Sequence, residues 1–295
     1  MQPRRRNVTH GRAFEMVDAV AIAGHVRMLA HGDAAAKSQA ALALWRLMAP
    51  AADREPPSEE QRNWITRAGA IPPLVELLQS GGEGARCAAG ALVYLAYDQD
   101  NRVAIAAAGG IAPLVELVRR GGAGAKQLAA RALANLALDD DNQVAIAAAG
   151  AIVPIVDLLR DGCVDANNSA AHALRNLAYR NADNKLAIAA AGAIAPLVAL
   201  TRSDHSKGAD HAHAALTNLA SDNVDNQVLI AEAKGDIRTL VALARSASYS
   251  GISDAAKNTA ARILARRRRS IVRKCVDGKV PAELEPIIAA CLGFS

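Results

Sequence analysis

The chain has 295 residues, 52% of them apolar but only 3% aromatic, and a net charge of +5. So apolar a composition excludes a disordered polyelectrolyte, and no run of ~18 purely apolar residues is present to read as a membrane span. The charge is uneven: residues 262–279 hold eight Arg and Lys side chains against Asp277 alone, and Arg4, Arg5 and Arg6 form a smaller cluster.

In chain order, residues near Val17–Ala21 read as a partial first helix, followed by an apolar helical pattern from Ile22 to Leu44. Residues 49–60 are polar and rich in Pro and Ala, the mark of a mobile surface loop. Beyond them one phrase returns: Gly69-Ala70-Ile71-Pro72-Pro73-Leu74-Val75, Gly109-Gly110-Ile111-Ala112-Pro113-Leu114-Val115, Gly150-Ala151-Ile152-Val153-Pro154-Ile155-Val156 and Gly192-Ala193-Ile194-Ala195-Pro196-Leu197-Val198. A second phrase follows at near-constant offset: Leu133-Ala134-Asn135-Leu136-Ala137, Leu174-Arg175-Asn176-Leu177-Ala178 and Leu216-Thr217-Asn218-Leu219-Ala220, the asparagines 41 and 42 residues apart.

Periods near 40 residues mean a helical array, in which each unit packs only on its neighbours. Each unit reads as three helices. In the best-defined unit a short first helix over Asn142–Ala148 is stopped by Gly150, the residue that tolerates a left-handed cap. The second runs Ile152–Arg160 with Pro154 in its first turn, where a missing N–H matters little. A turn at Asp161-Gly162 leads to the third, roughly Ala166–Tyr179, with apolar residues at helical spacing.

These phrases resemble the armadillo repeat, and the resemblance runs from about Ile22 to Arg266. It implies an all-α, right-handed α-solenoid of three-helix repeats. The organisation it implies is an N-terminal capping repeat over 1–48, an insertion loop over 49–63, the array over 64–269 and a C-terminal capping segment over 270–295. Third helices in this family line a concave groove, and their asparagines grip an extended peptide. A carboxamide offers an acceptor and two donors, so it can bond the N–H and the C=O of one peptide residue whatever its side chain. Asn135, Asn176 and Asn218 match the motif, whereas Arg46, Tyr94 and Arg266 depart from it. The competing reading is that the asparagines cap or stiffen the array between repeats. One and two turns earlier on the same helix face stand Arg131 and His172, then Arg86, Gln127, Asn168 and Asp210. The candidate groove is therefore Arg86, Tyr94, Gln127, Arg131, Asn135, Asn168, His172, Asn176, Asp210 and Asn218. The import-adaptor branch of the family carries Trp four residues before the Asn. Its absence here weighs against cargo binding of that kind, which is kept as an alternative. Arg86, Arg131 and Arg175 point to an acidic partner.

The inter-unit loops are acidic, as in Asp98-Gln99-Asp100-Asn101 and Asp139-Asp140-Asp141-Asn142. Alternate carboxylates resemble the opening of a calcium loop, but the other ligands are missing, so they read as Asx turns and helix N-caps. His205, His211 and His213 with Asp204 and Asp210 form the densest His cluster, but His211 and His213 face different ways on a helix. No metal or cofactor is expected. No P-loop, nucleophile elbow or dinucleotide glycine pattern is present, and a non-catalytic scaffold is expected rather than an enzyme.

Arg266, Arg267, Arg268 and Arg269, followed by Arg273 and Lys274, form a basic run of the kind that binds polyanions or directs nuclear entry. The run has no aromatic interleaving for base stacking, which argues against sequence-specific nucleic-acid reading. The four cysteines show no metal or redox spacing. With no secretory signal they read as free thiols in the cytoplasm or nucleus. The expected partner is an extended segment of another protein, and the expected state a monomer with no membrane insertion.

Overall fold

The computed structural model describes residues 8–49, 59–202 and 207–234, and all regular structure among them is helical. The chain divides into two compact units, Met1–Leu177 and Ala178–Ser295. The first contains α1 (Val8–His31), α2 (Ala34–Met48), α3 (Glu59–Arg67), α4 (Ile71–Leu78), α5 (Gly82–Leu95), α6 (Gln99–Ala107), α7 (Ile111–Arg120), α8 (Ala123–Leu136), α9 (Asp140–Ala148), α10 (Ile152–Asp161) and α11 (Val164–Leu177). The second contains α12 (Ala182–Ala190), α13 (Ile194–Leu200), α14 (Lys207–Ala220) and α15 (Val224–Lys234). The basic run Arg266–Arg269 with Arg273 and Lys274, the C-terminal segment 270–295, His205 and most of the 49–63 insertion lie outside the described residues.

The boundary between first and second helices is set by local chemistry. In α6 the chain stops at Ala107 and Gly109 turns left-handed at φ +79°. Gly109 N–H donates to the Ala106 carbonyl and Gly110 N–H to that of Ile105, each at 2.9 Å, which closes the last orphan carbonyls as a Schellman cap. Gly69, Gly150 and Gly192 repeat the turn at φ +82°, +74° and +77°. A proline then enters the first turn of α4, α7, α10 and α13, where its missing N–H leaves no bond unmade. The first and second helices consequently meet at 82° in α6–α7 and α9–α10, and at 86° in α12–α13.

Two expectations are corrected. The first unit has no break before Ile22: α1 runs unbroken from Val8 to His31. By register Val20 stands where Gly150 stops α9, and Gly24 where Pro154 enters α10, so neither the left-handed cap nor the proline is present. The insertion is also shorter than 49–63, because residues 59–63 already belong to α3. Glu59 and Glu60 in its first turn complement the positive end of the helix dipole.

The core of the first unit lies between third helices. α5 packs on α2 and α8, and α8 on α11. Leu92, Leu133 and Leu174 are fully buried, surrounded by Ala88, Ala91, Ala129, Ala132, Ala170 and Ala173. Small side chains let helices approach to the short end of the usual ~8–10 Å spacing, which accounts for a large apolar fraction with few aromatics. In the second unit, α13 and α15 both pack on α14, burying Leu197, Leu216 and Leu219. Among the described residues no single helix is long and apolar enough to cross a membrane.

Gly109 has open space where a Cβ would stand, so its positive φ is the sole constraint there. Gly109→Ala is expected to lower stability by about 1–2 kcal/mol, read as a lower midpoint in urea with an unchanged slope.

Candidate functional site

The third helices α2, α5, α8 and α11 of the first unit present one face on which like positions stack. Their chemistry starts from a problem of helix termini. The last carbonyls of a helix have no intrahelical partner, and here the following repeat supplies it. Asn135 Nδ2 donates to the Val93 carbonyl of α5 at 2.8 Å, and Asn176 Nδ2 to the Ala134 carbonyl of α8 at 2.7 Å. Neither carbonyl receives a helical bond, because Tyr97 N–H turns to Tyr94 and Leu138 N–H to Asn135. Both side chains are almost wholly buried, Asn135 at 2% and Asn176 at 6% exposure. Asn176 Nδ2 also lies 3.2 Å from His172 Nε2, which makes Nε2 the unprotonated ring nitrogen if the amide is the donor.

A second row of asparagines completes the closure. Asn101 Nδ2 donates to the Leu95 carbonyl at 3.0 Å, while its oxygen accepts from Thr66 Oγ1 at 2.8 Å. Asn142 Nδ2 reaches the carbonyls of Leu136 at 3.3 Å and Arg102 at 3.4 Å. In the second unit Asn226 Nδ2 does the same with Leu219 at 3.0 Å. The next residue takes the next carbonyl: Arg102 Nη1 that of Ala96, Gln143 Nε2 that of Ala137, and Gln227 Nε2 that of Ala220. The acidic loops start these first helices. Asp98 and Asp139 accept from the backbone N–H of Asn101 and Asn142 at 3.2 and 3.1 Å, as N-caps do.

Where Tyr94 replaces the ladder asparagine, the carbonyl it would serve is already satisfied: Ala49 N–H donates to Trp45 at 2.7 Å. The space is used for aromatic and cationic packing instead. The Trp45 ring lies where a Cβ on Gly90 would fall, 2.6 Å from its Cδ2 and Cε2. Arg86 stacks over Trp45 with its Cζ 5.0 Å from the ring centroid, and Arg131 over Tyr94 at 5.8 Å. Tyr94 meets Tyr97 edge-on at 5.9 Å, and Arg131 Nη2 donates to the Tyr97 hydroxyl at 3.2 Å. Arg86 also pairs with Glu83, its Nε donating to Oε2 at 2.8 Å, and this holds the Glu83 carboxyl below its usual range. Burial pushes the Tyr94 phenol up, against the opposing pull of Arg131.

Of the sequence-predicted groove, Arg86, Tyr94, Gln127, Arg131, Asn135, Asn168, His172 and Asn176 all fall on α5, α8 and α11 of the first unit. Gln127, Arg131, Asn168 and His172 are half-buried. The Asn168 Oδ1 is buried without a hydrogen-bond donor. Asp210 is exposed and Asn218 half-buried on α14, in the second unit. Trp45 and Tyr97 were not singled out by sequence reasoning. The glycine at position 90, one turn before an aromatic ladder residue, was the signal for the first. Among the described residues no three His, Cys, Asp or Glu side chains group as a metal site.

Asn135→Ala is expected to leave the Val93 carbonyl buried and unpaired, at a cost of about 1–3 kcal/mol, and so to lower the melting temperature in the absence of any partner. The two described cysteines divide sharply. Burial pushes the Cys87 thiol up to about 11, with Glu83 adding to the shift, whereas Cys163 is exposed. Because the thiolate is the nucleophile, alkylation of the folded chain near pH 7.5, read by peptide mass mapping, should mark Cys163 and leave Cys87 intact until denaturant is added.

The Armadillo/beta-catenin-like repeat matches residues 58–97, a stretch that ends at Tyr97. No curated protein matches the chain. Among solved structures, an engineered protein is 30% identical at a TM-score of 0.64, over 82% of this chain and 96% of that one. A computationally designed armadillo repeat protein for modular peptide recognition is 26% identical at a TM-score of 0.64, over 82% and 98%. A designed armadillo repeat protein in complex with the peptide (KR)4 is 26% identical at a TM-score of 0.63, again over 82% and 98%. The repeated Gly–Pro break, the stacked third helices and these likenesses together show that the chain belongs to the armadillo-repeat family.

Proposed function

We propose that this protein is a non-catalytic interaction scaffold whose first unit holds an extended segment of another protein along the face of α2, α5, α8 and α11. The observation that carries the reading is the row of half-buried polar and aromatic side chains that these helices stack in register. Designed relatives that recognise peptides support it. Arg86, Tyr94, Gln127, Arg131, Asn168 and His172 are the proposed contact residues. Asn135 and Asn176 each spend an amide hydrogen on the helix carbonyl they close, and Asn176 a second toward His172. In this reading they act chiefly by holding the pitch at which successive contacts repeat.

The proposed partner is acidic. Arg46 and Arg175 are exposed on α2 and α11 and Arg131 is half-buried on α8, while Glu83 offsets Arg86. The stacking of Arg131 on Tyr94 uses the π-face and leaves part of its N–H fork for a carboxylate, since the two are used independently. A cytoplasmic or nuclear setting and a monomeric state fit this role.

Fluorescence anisotropy with extended Asp/Glu-rich peptides and with (KR)4 tests the idea. The acidic peptides should bind, and Arg131→Gln should weaken them about tenfold through loss of a charge-assisted hydrogen bond. No binding of the acidic peptides, or an affinity indifferent to Arg131→Gln, rejects the acidic-partner reading.

A further inference from the structure

The first helices carry a second surface that the third-helix face does not use. On α6 the outward residues include Asp100, Val103 and Ala107; on α9 they include Asp140, Asp141, Val144 and Ala148. The two helices touch through Asn142 and the Arg102 carbonyl. Val103 and Val144 hold equivalent positions on the two helices, 41 residues apart. Val103 is 53% exposed and Val144 60%. Single exposed apolar residues need no explanation, but a stripe repeated unit by unit does. In the second unit α12 repeats the pattern with exposed Asp183 and Leu186.

The rim of this stripe is strongly negative. Asp98, Asp100, Asp139, Asp140 and Asp141 crowd the starts of α6 and α9, and among the described residues none of them joins a salt bridge. Capping explains Asp98 and Asp139, and the helix dipole favours the others. Neither explains the valines. The nearby cation, Arg102, is turned to the Ala96 and Tyr97 carbonyls at 3.3 and 3.2 Å.

We propose that the α6–α9 ridge docks a Lys/Arg-rich amphipathic segment of a partner protein, with its apolar side on Val103 and Val144 and its cations on the aspartate rim. The charge selects this occupant. Nucleic acid and anionic lipid would both be repelled, and a purely apolar partner would leave the carboxylates facing it uncompensated. The site is distinct from the third-helix face, and the two readings stand or fall separately.

The probe is a synthetic helical peptide with Leu at i, i+3, i+4 and Lys elsewhere, titrated into the full chain. Its controls are the same peptide with Glu for Lys and an oligolysine of equal charge. The Leu/Lys peptide should bind and the Glu version should not. V103S/V144S and D100N/D140N/D141N should each weaken binding by about tenfold, the second also flattening its salt dependence. Both variants change exposed side chains, and circular dichroism melts verify that they fold. Oligolysine binding as tightly as the Leu/Lys peptide would reduce the ridge to diffuse attraction. Equal affinity for both variants and the unaltered chain, or no binding at all, would overturn the proposal.

Discussion

The structure depends on how the carbonyls at the end of each third helix are satisfied. A helix that stops leaves acceptors exposed, and in a stacked array most of that end is buried, out of reach of water. The chain solves this with side chains from the next repeat. Asn135 and Asn176 close the carbonyl before the ladder position, Asn101 and Asn142 the one after it, and Arg102 and Gln143 the next. The bonds are short-range and specific in angle, so they set pitch and register where alanine packing alone would let helices slide.

This constraint shapes the candidate binding face. Side chains that hold the pitch are buried, and those left accessible stand beside them: Trp45 over Gly90, Arg86 and Arg131 on their rings, and His172 against Asn176. The first repeat differs because α2 continues far enough for Ala49 to satisfy Trp45. With no carbonyl to close, position 94 is free to be Tyr, and aromatic character enters the face there. Charge and aromatic contacts thus gather at α2, α5 and α8, and amide chemistry at α11.

Much of the fold is legible in the sequence because its breaks use residues with few alternatives. A left-handed turn needs Gly, and a proline is tolerated in the first turn, so Gly150 and Pro154 locate α9 and α10 to within a residue or two. The unbroken α1 follows from the same rule applied to Val20 and Gly24. The direction of the ladder asparagines was less legible. A polar residue at helical spacing shows which face it shares, yet both the neighbouring helix and the groove lie along that face. Deciding between them takes the distance to Val93 and Ala134, set by how closely alanines let α5, α8 and α11 approach. The pairing of Trp45 with Gly90 was hidden for a similar reason: the two are 45 residues apart in sequence, and neither is unusual alone.

Closure by the following repeat gives the array a direction. In α5 and α8 the terminal acceptors of the third helix are completed by residues that lie after it in the chain, as Val93 is by Asn135 and Ala134 by Asn176. On a ribosome, where N-terminal segments emerge first, a repeat leaves the tunnel with that end still open to solvent. It is sealed only when the next ~40 residues have followed. The nascent chain therefore matures one repeat behind synthesis, with a hydrated, fraying edge that advances toward the C-terminus. A pause in translation at any point would leave one incomplete helix end, always on the same side of the last finished repeat.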